Sequence, residues 1–379
     1  MHMYFERLLS DNVRNLAPVE QVFSDGPQQL RRWTLLRAGE TSTTLLRCLA
    51  LAGLGRWHVP RLAGRVMPLL AADPDRPVLV EFVLIRHAPQ ERGPHSPSRR
   101  HQGWRLLAGG KWEALTQPTL RCPVSGAQQG GAESGRCQVG RLLLGYGGAI
   151  RVSTDGFGIH PDQRFRRCAG LLDSASTVTN PVAFLERLHH KSRYRAGRAR
   201  TVLDRLKGGL SDCLGWDLAQ SLDRSELEGQ WKSTHSARQV PAIVVLDIAR
   251  HAFEASTRLE ETDPLRQPGV VLFDRIGAWW PAAQQAAFVR LLDGLFPNLQ
   301  FILALATDAR RRFPRRLLAQ RLPIPEPRPR PAPTAPRRLP PGAVLLVDLD
   351  SRLPNLALMK LSRHFKAQGR VVELRRGVR

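Results

Sequence analysis

The sequence predicts an α/β protein: a mainly parallel sheet covered by helices, with a β-rich N-terminal part, a helical insertion and a C-terminal βαβ fragment. Three observations carry this. Two short, nearly uninterrupted apolar runs, "GVVLFD" and "NLQFILALA", flank the amphipathic stretch "AAQQAAFVRLLDGLFP". Strands that are apolar on both faces and joined through a helix belong to a parallel sheet covered on both sides. Residues 180–235 switch to helical periodicity, while 76–145 hold short apolar runs broken by Pro, Gly and polar residues.

Each element follows from its residues. "WTLLRAGETSTTLLRCLALAGLG", Trp33 to Gly55, reads as strand, turn and helix. "PVLVEFVLI" and "GWRLLAGG" read as further apolar runs, and "GAQQGGAESGRCQ" (126–138) as a flexible loop by composition. "NPVAFLERLHHKSR" opens a helix with Asn180 as N-cap and Pro181 at the first helical position. Val202, Leu203, Leu206 and Leu210 recur at helical spacing in a second amphipathic helix. "VPAIVVLDIARHAFEAS" predicts a buried helix. The Pro- and Arg-rich stretch from Arg310 to Arg338 cannot build a core and predicts an extended, semi-rigid linker. Ala343–Asp348, Pro354–Gln368 and Val371–Leu374 then read as strand, helix and strand, with Gly369 ending the helix; this resembles the beginning of a domain.

With 379 residues the chain can bury a large core in two domains, or in one with insertions. No apolar run reaches the ~20 residues of a membrane span. The opening residues carry acids and no signal-peptide core, so a cytoplasmic location is expected. Lys+Arg total 57 against 33 Asp+Glu, a net charge of +24. A polyanionic partner such as nucleic acid explains that balance, and compositional drift toward arginine explains it too, because the arginines are scattered. Five cysteines, at 48, 122, 137, 168 and 213, form no C-x-x-C and no zinc pattern, which predicts free thiols.

The turn after the first strand raises a chemical question. A phosphate loop, G-x-x-x-x-G-K-[ST], needs glycines for backbone approach, a lysine for the β/γ oxygens and a hydroxyl for Mg²⁺. Gly39, Glu40, Thr41, Ser42, Thr43 and Thr44 are the available pieces, without a second glycine or a lysine. Taken alone, the segment favours a plain strand–helix turn.

Three later segments, "HSARQVPAIVVLDIARH", "QPGVVLFDRIGAWWPAAQQ" and "LFPNLQFILALATDA", follow "WTLLRAGETSTTLLRCLAL" in a fixed order. With "GFGIHPDQRFRRCAGLLDSASTVTNPVAFLERL" between them, the set resembles the AAA-family ATPases of the ABC, SMC and RecF-like type over residues 1 to about 325. The resemblance implies a P-loop NTPase-like head, ATP and Mg²⁺ as cofactors, and a homodimer through the head. It implies a domain at 1–325 with its helical insertion at about 180–235, a linker at 326–341 and a truncated fragment at 342–379.

Carried over residue by residue, the resemblance gives Gly39 to Thr44 as the phosphate loop and Thr43 with Asp274 as the Mg²⁺ ligands. The family's water-activating glutamate falls on Arg275, its signature Ser-Asp-Gly on His235, Ser236 and Ala237, and its switch histidine on Ala306. A lysine–phosphate contact is worth roughly 1.5–3 kcal/mol. A lost general base costs about 10²–10⁴ in rate. The resemblance therefore implies a nucleotide-binding ancestry with a degenerate site, a pseudoenzyme acting as scaffold or partner subunit. Arg37 and Arg275 offer bidentate phosphate contacts, while Arg275 also reads as a salt bridge to Asp274. Trp279–Trp280, and Tyr146 with Phe157 and Arg164, read as packing residues.

The final stretch, "VLLVDLDSRLPNLALMKLSRHFKAQGRVVEL", is similar to the opening of radical-SAM proteins with a cobalamin-binding-like domain. The cluster-binding cysteines have no counterpart, so no iron–sulfur cluster is expected. Asp348, Asp350 and Ser351 fall at its strand end, where a helix cap is the plain reading. Two other functions stay open: a basic nucleic-acid-binding protein using the Arg/Pro-rich segment, and a decayed, read-through gene product.

Overall fold

A four-stranded parallel sheet organises the protein because its strands are apolar on both faces. The computed structural model describes residues 2–16, 19–26, 29–54, 70–73, 75–87, 99–107, 111–115, 128–129, 142–147, 150–152, 163–172, 177–178, 180–194, 197–214, 224–233, 236–256, 263–275, 282–305, 310–311, 313–322, 344–348 and 356–376. The chain divides into two compact units, 1–327 and 328–379.

In the first unit, β1 (His2–Asp11) pairs antiparallel with β2 (Val19–Val22) and with β4 (Val78–His87). β5 (Arg99–Leu106) and β6 (Trp112–Leu115) extend this antiparallel sheet. β7 (Gln128–Gln129) pairs with β5, so two residues of the stretch read as a flexible loop belong to the sheet edge instead. Backbone pairing with Arg100 and His101 overrides the loop-like composition there.

The parallel sheet has the order β3 (Trp33–Arg37), β12 (Leu299–Leu305), β11 (Gly269–Phe273), β8 (Leu143–Tyr146). Side chains alternate between its faces. Val271, Phe273, Phe301 and Leu303 enter one buried cluster, while Val270, Leu272, Ile302 and Ala304 enter the other. The first cluster is closed by α3 (Pro181–Tyr194), α4 (Arg198–Leu214), α6 (Ser236–Ala255) and α7 (Ala282–Leu295). The second is closed by α1 (Glu40–Leu54), α2 (Gln163–Leu172) and the antiparallel sheet. α5 (Arg224–Ser233) adds Leu227 to the first cluster, and α8 (Arg315–Leu318) adds Leu317. β9 (Arg151–Val152) and β10 (Thr177–Val178) form a separate parallel pair.

Local chemistry sets several boundaries. The Asn180 carboxamide oxygen accepts from Val182 N–H at 3.0 Å, capping α3 ahead of Pro181. Val202, Leu203, Leu206 and Leu210 are all buried, the inward stripe of α4. α1 lies so close to β8 that a Cβ on Gly53 would sit 2.2 Å from Leu143 Cδ2.

One polar side chain joins the two sheets. Gln300, fully buried in β12, accepts from Phe5 N–H and donates to Phe5 O, each at 2.9 Å. Tyr4 adds a hydroxyl donated to Asn298 O at 2.9 Å. The buried Arg32 guanidinium is held by Asp293, Gln320 and the Phe296 carbonyl.

The second unit holds β13 (Val344–Asp348), α9 (Leu356–Ala367) and β14 (Val372–Arg376), the strands paired in parallel. Gly369 has φ of 73°, the left-handed region that ends a helix without Cβ strain. No described helix is long and apolar enough to cross a membrane.

Candidate functional site

Three strands of the parallel sheet end side by side, and two polar clusters form at that edge. The first is built on the turn between β3 and α1. Ala38 N–H still donates to Leu305 O at 2.8 Å, so strand register runs to the end of β3. Only Ala38 and Gly39 separate Arg37 from the helix start at Glu40.

The turn closes on itself. Ser42 Oγ accepts from Gly39 N–H at 3.0 Å and donates to Gly39 O at 2.8 Å. Thr43 N–H donates to the same carbonyl at 3.1 Å. The left-handed positions among the described residues are Asn12, Asn15, Arg275, Gly197 and Gly369, none of them in the turn. A nest of converging N–H groups needs such a position beside a right-handed one. Glu40 stands exposed in the first turn of α1 and accepts from Asn15 Nδ2 at 2.9 Å. A carboxylate there complements the helix dipole and repels an incoming anion.

Thr43 and Asp274 meet across 231 positions of sequence. The Thr43 hydroxyl lies 3.0 and 2.9 Å from the two Asp274 oxygens and 3.1 Å from Gly39 O. Its one proton serves these acceptors. Burial pushes the Asp274 carboxyl above its ordinary value, against the Thr43 hydrogen bond and the Arg275 and Arg47 charges. Arg275 adopts φ of 53°, and its side chain is half exposed with Nε 3.9 Å from Asp274 Oδ2. That is a loose ion pair, and an arginine accepts no proton from water. Arg37 is exposed at the end of β3.

The donor set fits a magnesium ion only in part. One hydroxyl and one carboxylate suit Mg²⁺ when substrate phosphates supply further ligands. The turn does not fit those phosphates: it lacks lysine and nest, its Ser42 hydroxyl is bonded to Gly39, and Glu40 guards the helix end. No group of three or more His, Cys, Asp or Glu that fits a metal ion occurs among the described residues.

The second cluster went unforeseen. Tyr146, ending β8, donates its hydroxyl to Asp247 Oδ2 at 2.9 Å. Arg250 Nη2 donates to Asp247 Oδ1 at 2.8 Å and lies 2.7 Å from His251 Nε2. Arginine only donates, so that imidazole nitrogen is the acceptor and carries no proton. Burial, with the Arg250 and Arg167 charges, holds the His251 pKa well below its ordinary value despite the opposing pull of Asp247. Burial pushes the Asp247 carboxyl upward, but its charged neighbours and the hydrogen bonds from Arg250 and Tyr146 outweigh it, leaving Asp247 below its ordinary value. Glu254 ties the group to Arg187 at 3.1 Å. The visible signal was an Asp, Arg, His and Glu at i, i+3, i+4 and i+7 following the apolar run from Val240 to Leu246. The two clusters touch through backbone, Asp274 N–H donating to Tyr146 O at 2.9 Å.

Several residues with expected roles fall outside the described ones: Ala306, His235, Trp279, Trp280, Phe157, Asp350, Ser351 and the linker at 326–341. Ser236 and Ala237 open α6, Arg164 lies in α2, and Asp348 ends β13. Cys48 and Cys168 are free and buried, and burial pushes both thiols up to about 12.

No protein-family model matches the chain, and no curated protein matches it. Solved structures do. One is an Smc head bound to the C-terminal winged-helix domain of ScpA, with TM-score 0.40 and 11% identity, covering 80% of this chain and 90% of that one. Another is the Smc head domain with an extended coiled coil, bound to the C-terminal domain of ScpA from Pyrococcus furiosus. It has TM-score 0.32 and 14% identity, covering 81% of this chain and 90% of that one.

Proposed function

We propose that this chain is an ATPase-related head of the ABC/SMC/RecF-like type whose nucleotide site no longer turns over, and that it serves as a scaffold or partner-binding subunit. The observation that carries the reading is the joined pair Thr43–Asp274 beside a turn closed by Ser42 on Gly39. A hydroxyl at the start of the helix after β3, facing a carboxylate at the end of β11 one strand beyond β12, is the arrangement such a head needs for its metal. The phosphate cradle beside it is missing, and arginine stands where a water-activating base belongs. Intact apolar strands beside a site without lysine or base support a protein used for its surface.

The test is ATP binding by calorimetry together with phosphate release from the full chain. No saturable ATP binding and background phosphate release are expected, with no ATP-dependent dimer in sedimentation. Turnover that disappears in Asp274→Ala would overturn the reading.

A further inference from the structure

We propose that the open edge of β3 takes an acidic, extended peptide segment of a partner protein as an added strand. Among the described residues β3 has one ladder partner, β12. Phe301 N–H donates to Arg32 O and Ala38 N–H donates to Leu305 O. In a parallel ladder alternate residues face the partner. Thr34 and Leu36 therefore direct their peptide groups to β12, and Trp33, Leu35 and Arg37 direct theirs away from it.

Among the described residues that outward side is a groove, not a covered seam. A cavity of about 720 Å³ runs along Trp33–Arg37 and is bounded by Arg310, Arg311, Leu318 and Arg321. At its closed end Arg32 N–H donates to Gln320 O and Leu322 N–H donates to Leu30 O, so backbone pairing stops where the groove begins. Thr34 lines the groove at 5% exposure, and its hydroxyl has no hydrogen-bond partner among the described residues. Trp33 is 1% exposed and belongs to the closed end, so the open peptide groups are those of Leu35 and Arg37, enough to anchor a short added strand that runs on past Arg37.

Charge selects the occupant. Among the described residues five arginines, 31, 37, 310, 311 and 321, line the groove with a single carboxylate, Asp25. Arg31 and Arg321 both pair with Asp25. Arg37, Arg310 and Arg311 are exposed and form no ion pair among the described residues. An acidic strand satisfies the edge and the arginines at once, whereas a nucleic acid backbone satisfies only the arginines. The proposal stands apart from the nucleotide site, since phosphate release reads one and peptide binding the other.

The experiment uses the full chain and a labelled peptide of alternating Glu and Thr, about ten residues long, read by fluorescence anisotropy. Three controls accompany it: the same peptide N-methylated at alternate residues, a Lys-for-Glu peptide, and a short DNA duplex. Saturable binding of the acidic peptide is expected, weakened roughly tenfold or more by combined Arg37→Glu, Arg310→Glu and Arg311→Glu. N-methylation, which removes the donors of the added strand, is expected to abolish it. These side chains are exposed, so the variant should keep its melting temperature; if it does not, Arg311→Glu alone is measured and is expected to weaken binding severalfold. No binding of the acidic peptide, equal binding of the N-methylated form, or a duplex that displaces the peptide while binding more tightly would each overturn the proposal.

Discussion

Asp247 and Asp274 sit at the same edge of the same sheet, both buried, and their carboxyls are shifted in opposite directions. Asp247 has a guanidinium and a phenol in hydrogen-bond contact. Asp274 has a hydroxyl and, at 3.9 Å, a half-exposed arginine. Burial disfavours a carboxylate in both places. What differs is whether a cation shares the burial. The lesson is that the polar groups at this edge fall into two kinds: one carboxylate neutralised within the chain, the other buried with a hydroxyl and only a distant, half-exposed arginine.

The comparison breaks most clearly on truncation. Asp247→Ala takes from Arg250, whose side chain is 12% exposed, its 2.8 Å carboxylate partner, leaving it the longer 3.4 Å pair with Glu254, and takes from the Tyr146 hydroxyl its acceptor. Removing one partner of a buried pair costs about 3–5 kcal/mol. Urea unfolding should show a loss of that size, whereas Asp274→Ala should lose less than about 1 kcal/mol. Equal losses would mean that the two carboxylates are held alike.

Acid sharpens the same contrast. The folded value of His251 lies below its unfolded value of about 6.5, so its contribution is full above that pH and lost as pH falls through it. Asp247 is shifted the same way, and its contribution is lost lower, as pH falls through the carboxylate range. Asp274 has the opposite sign: its raised folded value makes ionisation a cost that appears as pH rises through that range. Stability measured from pH 7.5 down to 5.5 should fall with a slope of up to ~1.4 kcal/mol per pH unit for one proton. His251→Gln should flatten that slope relative to the unsubstituted protein, and an unchanged slope would assign it elsewhere.

Much of the fold was legible because burial writes itself into strands. β11 and β12 are apolar at every position but Gly269 and Gln300, and only a sheet covered on both faces asks for that. Asn180 and Gly369 marked helix ends through side-chain and backbone chemistry that is local. The long-range polar contacts were harder. Gln300 read as one polar residue in an apolar strand, and its meaning depends on the Phe5 backbone 295 positions away. The meeting of Thr43 with Asp274 came from family resemblance, since no local pattern brings together residues so far apart. The Asp247 cluster was missed because a buried helix was read from its apolar residues alone, and the partner of Asp247, Tyr146, lies 101 positions away.

The turn itself gives a smaller effect. Ser42 Oγ makes both hydrogen bonds that close Gly39 onto the helix start. Ser42→Ala removes them and should cost about 1 kcal/mol, the ordinary value of a helix N-terminal cap. Ser42→Lys should lose at least as much stability, since the position is buried, without gaining ATP binding, because a lysine alone restores no nest. ATP binding by that variant would show that a cradle can re-form around one cation.

The smallest expected effect is the most discriminating. Asp274→Asn keeps an oxygen for the Thr43 hydroxyl and removes a carboxylate whose ionised form is disfavoured by burial. It also discards the weak attraction of Arg275, which is screened by solvent at 53% exposure. Those terms oppose each other, so stability at pH 7 should stay within about 0.5 kcal/mol or rise slightly. A site still occupied by a metal would behave otherwise, since its carboxylate would be a ligand and its loss would remove metal-dependent stabilisation. Melting with and without millimolar Mg²⁺ separates the cases: no Mg²⁺-dependent shift is expected in either protein, and a shift present in the unsubstituted chain but absent in Asp274→Asn would show that Asp274 still holds the ion.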